Sequence, residues 1–336
     1  VYVLLRGFPG TEILIFIGLF MIFYGIIYAL LENDMRRILA YSIVNQVGFM
    51  VTGIGIGTEM ALNGVAAHAF AHIIYKALLL MAAGSVLYMT GKRKCTDLGG
   101  LFQSMPLTTL CGIVGALSIS SFPLTSGFIS KSMIGQSAAD ANLIVVWFLL
   151  LAASAGVFLH AGIKFPWFVF FQKDSGLRPP DPPWNMRLAM IFFSVLCIGI
   201  GIWPEYLYSM LPYPVTYQPY TVTHVVNMLQ LLLFSGFAFF LMLPLMRRTL
   251  TITLDFDWFY RRALPAVLQN TFSVIWKTDR AIRQASLTIL DSGLTSLAQR
   301  HEGVSRLLSR TYPAGSMVMW VAVILAAYLF LSFITH

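Results

Sequence analysis

Charge is what this sequence has least of. Only 11% of its 336 residues are charged, against about a quarter in a soluble domain, so the chain cannot cover a water-facing surface. Cysteine is scarce as well: Cys95, Cys111 and Cys197 lie far apart, with no CxxC and no histidine at ligand spacing. Neither a metal site nor a disulfide framework is indicated. A Rossmann glycine pattern, a P-loop and a haem motif are all missing, and no cofactor is expected. The opening VYVLLRGFPG has no basic n-region and no small-residue cleavage site, so it is not a signal peptide. Beginning on Val, it reads as the last turns of a helix that starts upstream, and the chain as an N-terminally truncated fragment.

What the sequence does have is apolar length. Hydrophobic residues make up 58% of it and the mean hydropathy is +0.77. Apolar runs recur at the length of about 20 residues that a helix needs to cross a hydrocarbon core. Candidate spans are 12–31, 38–57, 64–89, 106–137, 142–171, 187–204, 225–246 and 315–334, predicting an all-α, polytopic membrane helix bundle. The net charge of +8 is topological. Lys76, Lys131 and Lys164 fall inside spans and Arg6 on one side of the membrane. All the other basic residues fall on the opposite side if every span crosses once. That asymmetry is the positive-inside rule; it assigns those loops to the cytoplasm and removes nucleic acid as a partner.

Three segments are expected: a transmembrane domain over 1–246, a cytoplasmic-side amphipathic helix over 247–314, and a terminal span over 315–336. Within 258–311 an apolar stripe runs through Leu264, Leu268, Phe272, Ile275, Ile282, Ile289, Leu297, Val304 and Leu308, mostly at helical spacing. Pro265 and the DSG at 291–293 are expected to kink or interrupt it. Two readings stand: an interfacial helix on lipid headgroups, or a lateral strut bracing neighbouring subunits.

The titratable groups inside spans carry the functional signal. Lys76 sits mid-span in 64–89, beyond snorkelling distance of either end, and an ammonium there costs at least about 2.5–3.5 kcal/mol. Water, a counter-charge or loss of the proton must offset that. His68 and His72 precede it at four-residue steps, which places all three on one helix stripe. Such a ladder suits proton relay, and hydrogen bonding to neighbouring helices is the plainer alternative. The span 106–137 is too long for one straight crossing at about 48 Å. SSFPLTSG (120–127) is expected to break it: Pro123 removes a donor, Gly127 loosens the backbone, and Ser120, Ser121, Thr125 and Ser126 cover freed polar groups. Broken helices mark transporter sites. Lys131 follows one turn later, as a relay group or a snorkelling one. Lys164 lies four residues after His160 and abuts FPWFVFF (165–171), whose aromatics read as an interfacial belt, so snorkelling is expected of it. Tyr41, Ser42, Asn45 and Gln46 are candidates to line a hydrated path, with Ser126, His160 and Lys164, or simply to bond between helices. No Asp or Glu falls inside a candidate span, so the lysines are either largely neutral or partnered elsewhere.

NDMRRILAYSIVNQVGFM (33–50), HAFAHIIYKALLLMAAG (68–84) and SISSFPLTSGFISK (118–131) resemble the antiporter-type proton-translocating membrane subunits. These are shared by respiratory complex I, membrane-bound hydrogenases and Mrp-type multisubunit Na+/H+ antiporters. The likeness to the D-type member of the last group continues through HAGIKFPWFVFFQKDSGLRPPDPPWNMRLAM (160–190), while the lateral helix and last span are more similar to the long complex I member. The resemblance implies two inverted repeats, each with a broken helix, and half-channels joined by a chain of lysines, histidines and one glutamate. Lys76, Lys131, His68 and His72 match positions of that chain. The first repeat, with the family's glutamate–lysine pair, is absent from this sequence.

The reading that follows is a proton-translocating subunit of a multisubunit cation/proton antiporter in the inner membrane. Its partners would be other subunits of the complex, H+, Na+ and the bilayer. Alternatives are a membrane subunit of a complex I-like NADH-quinone oxidoreductase or membrane-bound hydrogenase, a non-transporting structural subunit, and a stand-alone solute transporter.

Overall fold

The computed structural model describes residues 1–243, 258–305 and 314–334, all helix and connection. The chain divides into two compact units, Val1–Thr253 and Leu254–His336. The first contains α1 (Tyr2–Gly7), α2 (Ile13–Leu31), α3 (Met35–Ile56), α4 (Glu59–Thr90), α5 (Pro106–Ile119), α6 (Ser126–Asp140), α7 (Ile144–Val157), α8 (Trp184–Ile202), α9 (Pro204–Tyr208) and α10 (Val222–Met242). Beyond Val157 the α7 chain continues as π-helix over Phe158–Lys164 and Trp167–Phe171. Among the described residues, seven helices are long and apolar enough to cross a membrane. The expected span 106–137 is not one of them, because it is divided into α5 and α6 by residues 120–125. The protein is a helical membrane protein with one discontinuous span.

Glycines set the tightest packing. A Cβ on Gly25 would lie 2.7 Å from the Asn45 backbone nitrogen, and one on Gly48 would lie 2.7 Å from the Gly18 carbonyl oxygen. The backbones of α2 and α3 therefore touch, in the small-residue packing that membrane helices use in place of a hydrophobic driving force. That approach brings the polar face of α3 (Ser42, Asn45, Gln46) into the interior, where all three are fully buried.

The fourth helix starts a turn earlier than expected. Thr58 accepts a hydrogen bond from the Ala61 N–H at 3.2 Å and Gly91 ends the helix in the left-handed conformation. Asn63, just ahead of the expected span, is buried and exchanges two hydrogen bonds with the backbone of Tyr213. The resulting 32 residues extend about 48 Å. Asp181 caps α5, accepting the N–H groups of Leu107 and Thr108 and the Thr108 hydroxyl at 2.8–3.2 Å.

The second unit contains α11 (Leu264–Ser305) and α12 (Ala314–Ile334). The DSG at 291–293 does not interrupt α11: all three residues are helical, and its 42 residues run about 63 Å. Pro265 follows closely on a π-helical turn over Phe259–Ala263, so the irregularity expected at the proline is a π turn rather than a break in the helix. Leu268, Phe272, Ile275, Ile282, Ile289 and Leu297 are exposed along it. The Val304 side chain and Leu308 lie outside the described residues.

Candidate functional site: a buried lysine and histidine axis

Helix α4 runs through the interior against α3, α5, α6 and α8, and it carries His68, His72 and Lys76 inward. His68 is fully buried in a polar network. Its Nδ1 lies 3.0 Å from the Ser130 hydroxyl and its Nε2 3.1 Å from the Gln46 amide oxygen. The Tyr75 hydroxyl donates to the same Gln46 oxygen at 3.1 Å. Gln46 in turn donates to Asn45 Oδ1 at 2.6 Å, and Asn45 donates to the Ile22 carbonyl at 3.0 Å. The network therefore runs α6–α4–α3–α2 across the bundle. His72 is half-buried, its ring edge-on to Tyr75 at 5.4 Å and 6.4 Å from the His68 ring, and its Nε2 is unpartnered.

Lys76 is 3% exposed, and its Nζ has no hydrogen-bond partner among the described residues. With helix on both sides of it for more than three turns, its amine cannot reach either end of the span.

The break is built largely as its sequence implies. Ser121 and Leu124 adopt left-handed conformations at φ 60° and 69°, interrupting the helix between its two halves. Ser120 donates to the Ala116 carbonyl, Thr125 to that of Phe122, and the Ser118 and Ser126 hydroxyls are 2.9 Å apart. Ser121 does not cover a freed group: its hydroxyl is buried without a partner. Pro123 lies within the turn, and Gly127 serves close approach rather than flexibility, since a Cβ there would collide with the Ser118 carbonyl. Lys131, 4% exposed, points inward. Its Nζ donates to the Ile119 carbonyl at 2.8 Å and sits 4.9 Å from the Phe49 ring centre. A cation at the C-terminal end of α5 meets the negative end of that helix dipole.

The Lys164 expectation is corrected. The side chain does not snorkel; it is 4% exposed, and its Nζ donates to the carbonyls of Ala29, Leu30 and Glu32 at 2.6–2.9 Å. It caps the C-terminal end of α2. The aromatics after it are no interfacial belt either, because Phe165, Phe168 and Phe170 are buried. His160, four residues earlier in the π-helix, bonds through Nδ1 to the Gly156 carbonyl at 2.8 Å and leaves a buried Nε2 unpartnered. Tyr41 stands apart from the His68 network, its hydroxyl accepting from Arg37 at 3.4 Å and its ring 5.4 Å from that of Tyr28. Ser42 has a buried, unpartnered hydroxyl.

Two members of the network escaped the sequence reading. Tyr75 adjoins Lys76 and lies seven residues from His68, so helical spacing signalled it. Ser130, one residue before Lys131, required knowing that α6 packs on α4. No group of three His, Cys, Asp or Glu placed to hold a metal occurs among the described residues.

Residues 8–157 match the family described as "NADH:quinone oxidoreductase/Mrp antiporter, TM". The A/B component of a probable K(+)/H(+) antiporter of Rhizobium meliloti is 31% identical over 218 residues, 61% of this chain and 22% of that protein. The D component of the Na(+)/H(+) antiporter of Alkalihalophilus pseudofirmus is 36% identical over 162 residues, 46% of this chain and 33% of that protein. The chain thus spans a third or less of the length of these two relatives. Among solved structures, an archaeal membrane-bound sulfane sulfur reductase shares the fold, with a TM-score of 0.58 and 24% identity over 94% of this chain and 55% of that one. The matched residues, 8–157, hold α2 to α7, the Lys76 ladder and the Lys131 break, and over them this chain is similar to the NADH:quinone oxidoreductase/Mrp antiporter transmembrane family.

Proposed function

We propose that this chain is a proton-translocating subunit of a multisubunit cation/proton antiporter, moving H+ along the lysine and histidine axis of α4 and α6. The observation that carries the reading is Lys76: a basic amine buried mid-span with no hydrogen-bond partner among the described residues. A group placed at that cost suits a proton that comes and goes. His68 supplies the link across the bundle, its two ring nitrogens facing Ser130 on α6 and Gln46 on α3. Lys131 exchanges with the face opposite the basic loops, and those loops are cytoplasmic by the positive-inside rule. The exposed apolar stripe of α11 serves contact with partner subunits.

A second reading, membrane subunit of a redox-linked proton pump, draws support from the family description, which covers quinone oxidoreductases as well as antiporters. In either case the chain works with partner subunits in the inner membrane. The test is Lys76→Ala in the full-length protein with its partners, assayed as ΔpH formation in everted vesicles. Loss of transport with normal assembly is expected; wild-type transport would contradict the relay and favour a purely structural role. Dependence of the wild-type signal on added Na+ or on an electron donor separates the two readings.

A further inference from the structure

Two cavities meet at one end of the bundle, where the α3–α4, α6–α7 and α9–α10 connections gather. One, of about 800 Å³, is lined by Glu59, Asn63 and Asp140 and by no lysine or arginine. The other, of about 490 Å³, is lined by Lys131, Ser132 and Asn227. Gln136, Thr221 and His224 line both. Each cavity is large enough for several waters at about 30 Å³ apiece, so what stands at the junction decides what passes.

Of the three shared residues, one can carry a proton. Gln136 is an amide, tied to Asp140 Oδ1 at 2.7 Å. The Thr221 hydroxyl caps α10 by accepting the His224 backbone N–H at 3.3 Å. The His224 imidazole is held by ring packing: 4.9 Å from Phe128, which is itself 5.3 Å from Tyr220. Its Nε2 is buried and has no hydrogen-bond partner among the described residues. Phe128 lies on α6 three residues before Lys131, so the half-helix that carries the lysine also positions the imidazole. The titratable groups around this junction are Lys131 from α6, Glu59 from α4, Asp140 from the end of α6, and Tyr217 and Tyr220 from the connection into α10.

We propose that His224 is the proton carrier between the Lys131 cavity and the acidic outer cavity. The neutral imidazole accepts a proton from the Lys131 ammonium through cavity water on one ring nitrogen. It then releases one from the other nitrogen into the outer cavity, which returns Lys131 as the free amine and His224 as neutral imidazole. The carboxylates of Glu59 and Asp140 favour the departing cation by their field. This step rests on the relay proposed above and adds its outward end.

The experiment uses the full-length protein with its partner subunits in right-side-out vesicles, measuring proton flux for His224→Ala and the near-isosteric His224→Gln. Both are expected at normal abundance with flux reduced at least about tenfold. Imidazole added outside should restore flux to His224→Ala, whose vacated volume opens on the outer cavity, and not to His224→Gln. Wild-type flux in His224→Gln, or no restoration of His224→Ala by imidazole, would overturn the proposal. Lys76→Ala in the same vesicles reads the underlying relay separately: unchanged flux there contradicts the relay itself. Flux lost there but kept in His224→Gln removes only the outward step.

Discussion

Lys164 and Lys76 are both buried lysines in one bundle, and their amines are treated in opposite ways. Lys164 delivers its charge to three carbonyls at the end of α2, where a helix terminus leaves acceptors unsatisfied and the dipole is negative. Lys76 delivers its amine to no hydrogen-bond acceptor among the described residues. The first arrangement holds a proton in place and a helix end with it, while the second is the one expected of the proposed carrier. Lys131, with a single carbonyl and an aromatic face, stands between them. The number of fixed partners, rather than burial or charge, is what separates these lysines.

The largest effect expected from breaking this contrast is functional. Lys76→Met should reduce transport by about 10²-fold or more, the scale of a lost proton-transfer group, and leave folding intact. Next comes the anchor. Lys164→Met strips three charge-assisted hydrogen bonds, each worth about 1.5–3 kcal/mol before relaxation, so thermal unfolding in detergent should show a Tm lower by several degrees. Gly127→Ala forces a methyl group against the Ser118 carbonyl and should cost about 1–3 kcal/mol, with transport impaired because Lys131 shifts with its half-helix. The smallest change expected is Tyr75→Phe. It removes one hydroxyl from a network in which Gln46 still faces His68, so a loss of about 1 kcal/mol and a few-fold slower transport would be read from the same two assays.

How far the sequence alone reaches can be judged at particular residues. Apolar run length located the spans, because a hydrocarbon core fixes how many residues a helix needs. SSFPLTSG announced the break through its proline and its run of serines rather than through length, since α4 runs 32 residues unbroken. The four-residue spacing put His68, His72 and Lys76 on one face. Lys164 was misread because its local setting, a lysine beside aromatics, looks the same at an interface and in a core. Its true partners lie more than 130 residues away in the chain, and only the fold brings them near. The start of α4 lay outside the apolar run because its first turns carry Glu59 and Asn63, and Asn63 is satisfied by the Tyr213 backbone, a contact across 150 residues of sequence. The DSG at 291–293 was given too much weight: glycine in a helix costs only about 1 kcal/mol. Ser130 was silent for the same reason as Lys164, being a helix-to-helix contact across more than sixty residues of sequence.

The most direct test of the contrast measures two quantities on two variants of the full-length protein with its partners: ΔpH formation in vesicles and Tm in detergent, for Lys76→Met and Lys164→Met side by side. Lys76→Met is expected to lose transport with a Tm equal to or above wild type, because an unpaired buried amine is replaced by an apolar side chain. Lys164→Met is expected to lose Tm while its folded fraction still transports. Wild-type transport by Lys76→Met would contradict the carrier role on which the contrast rests.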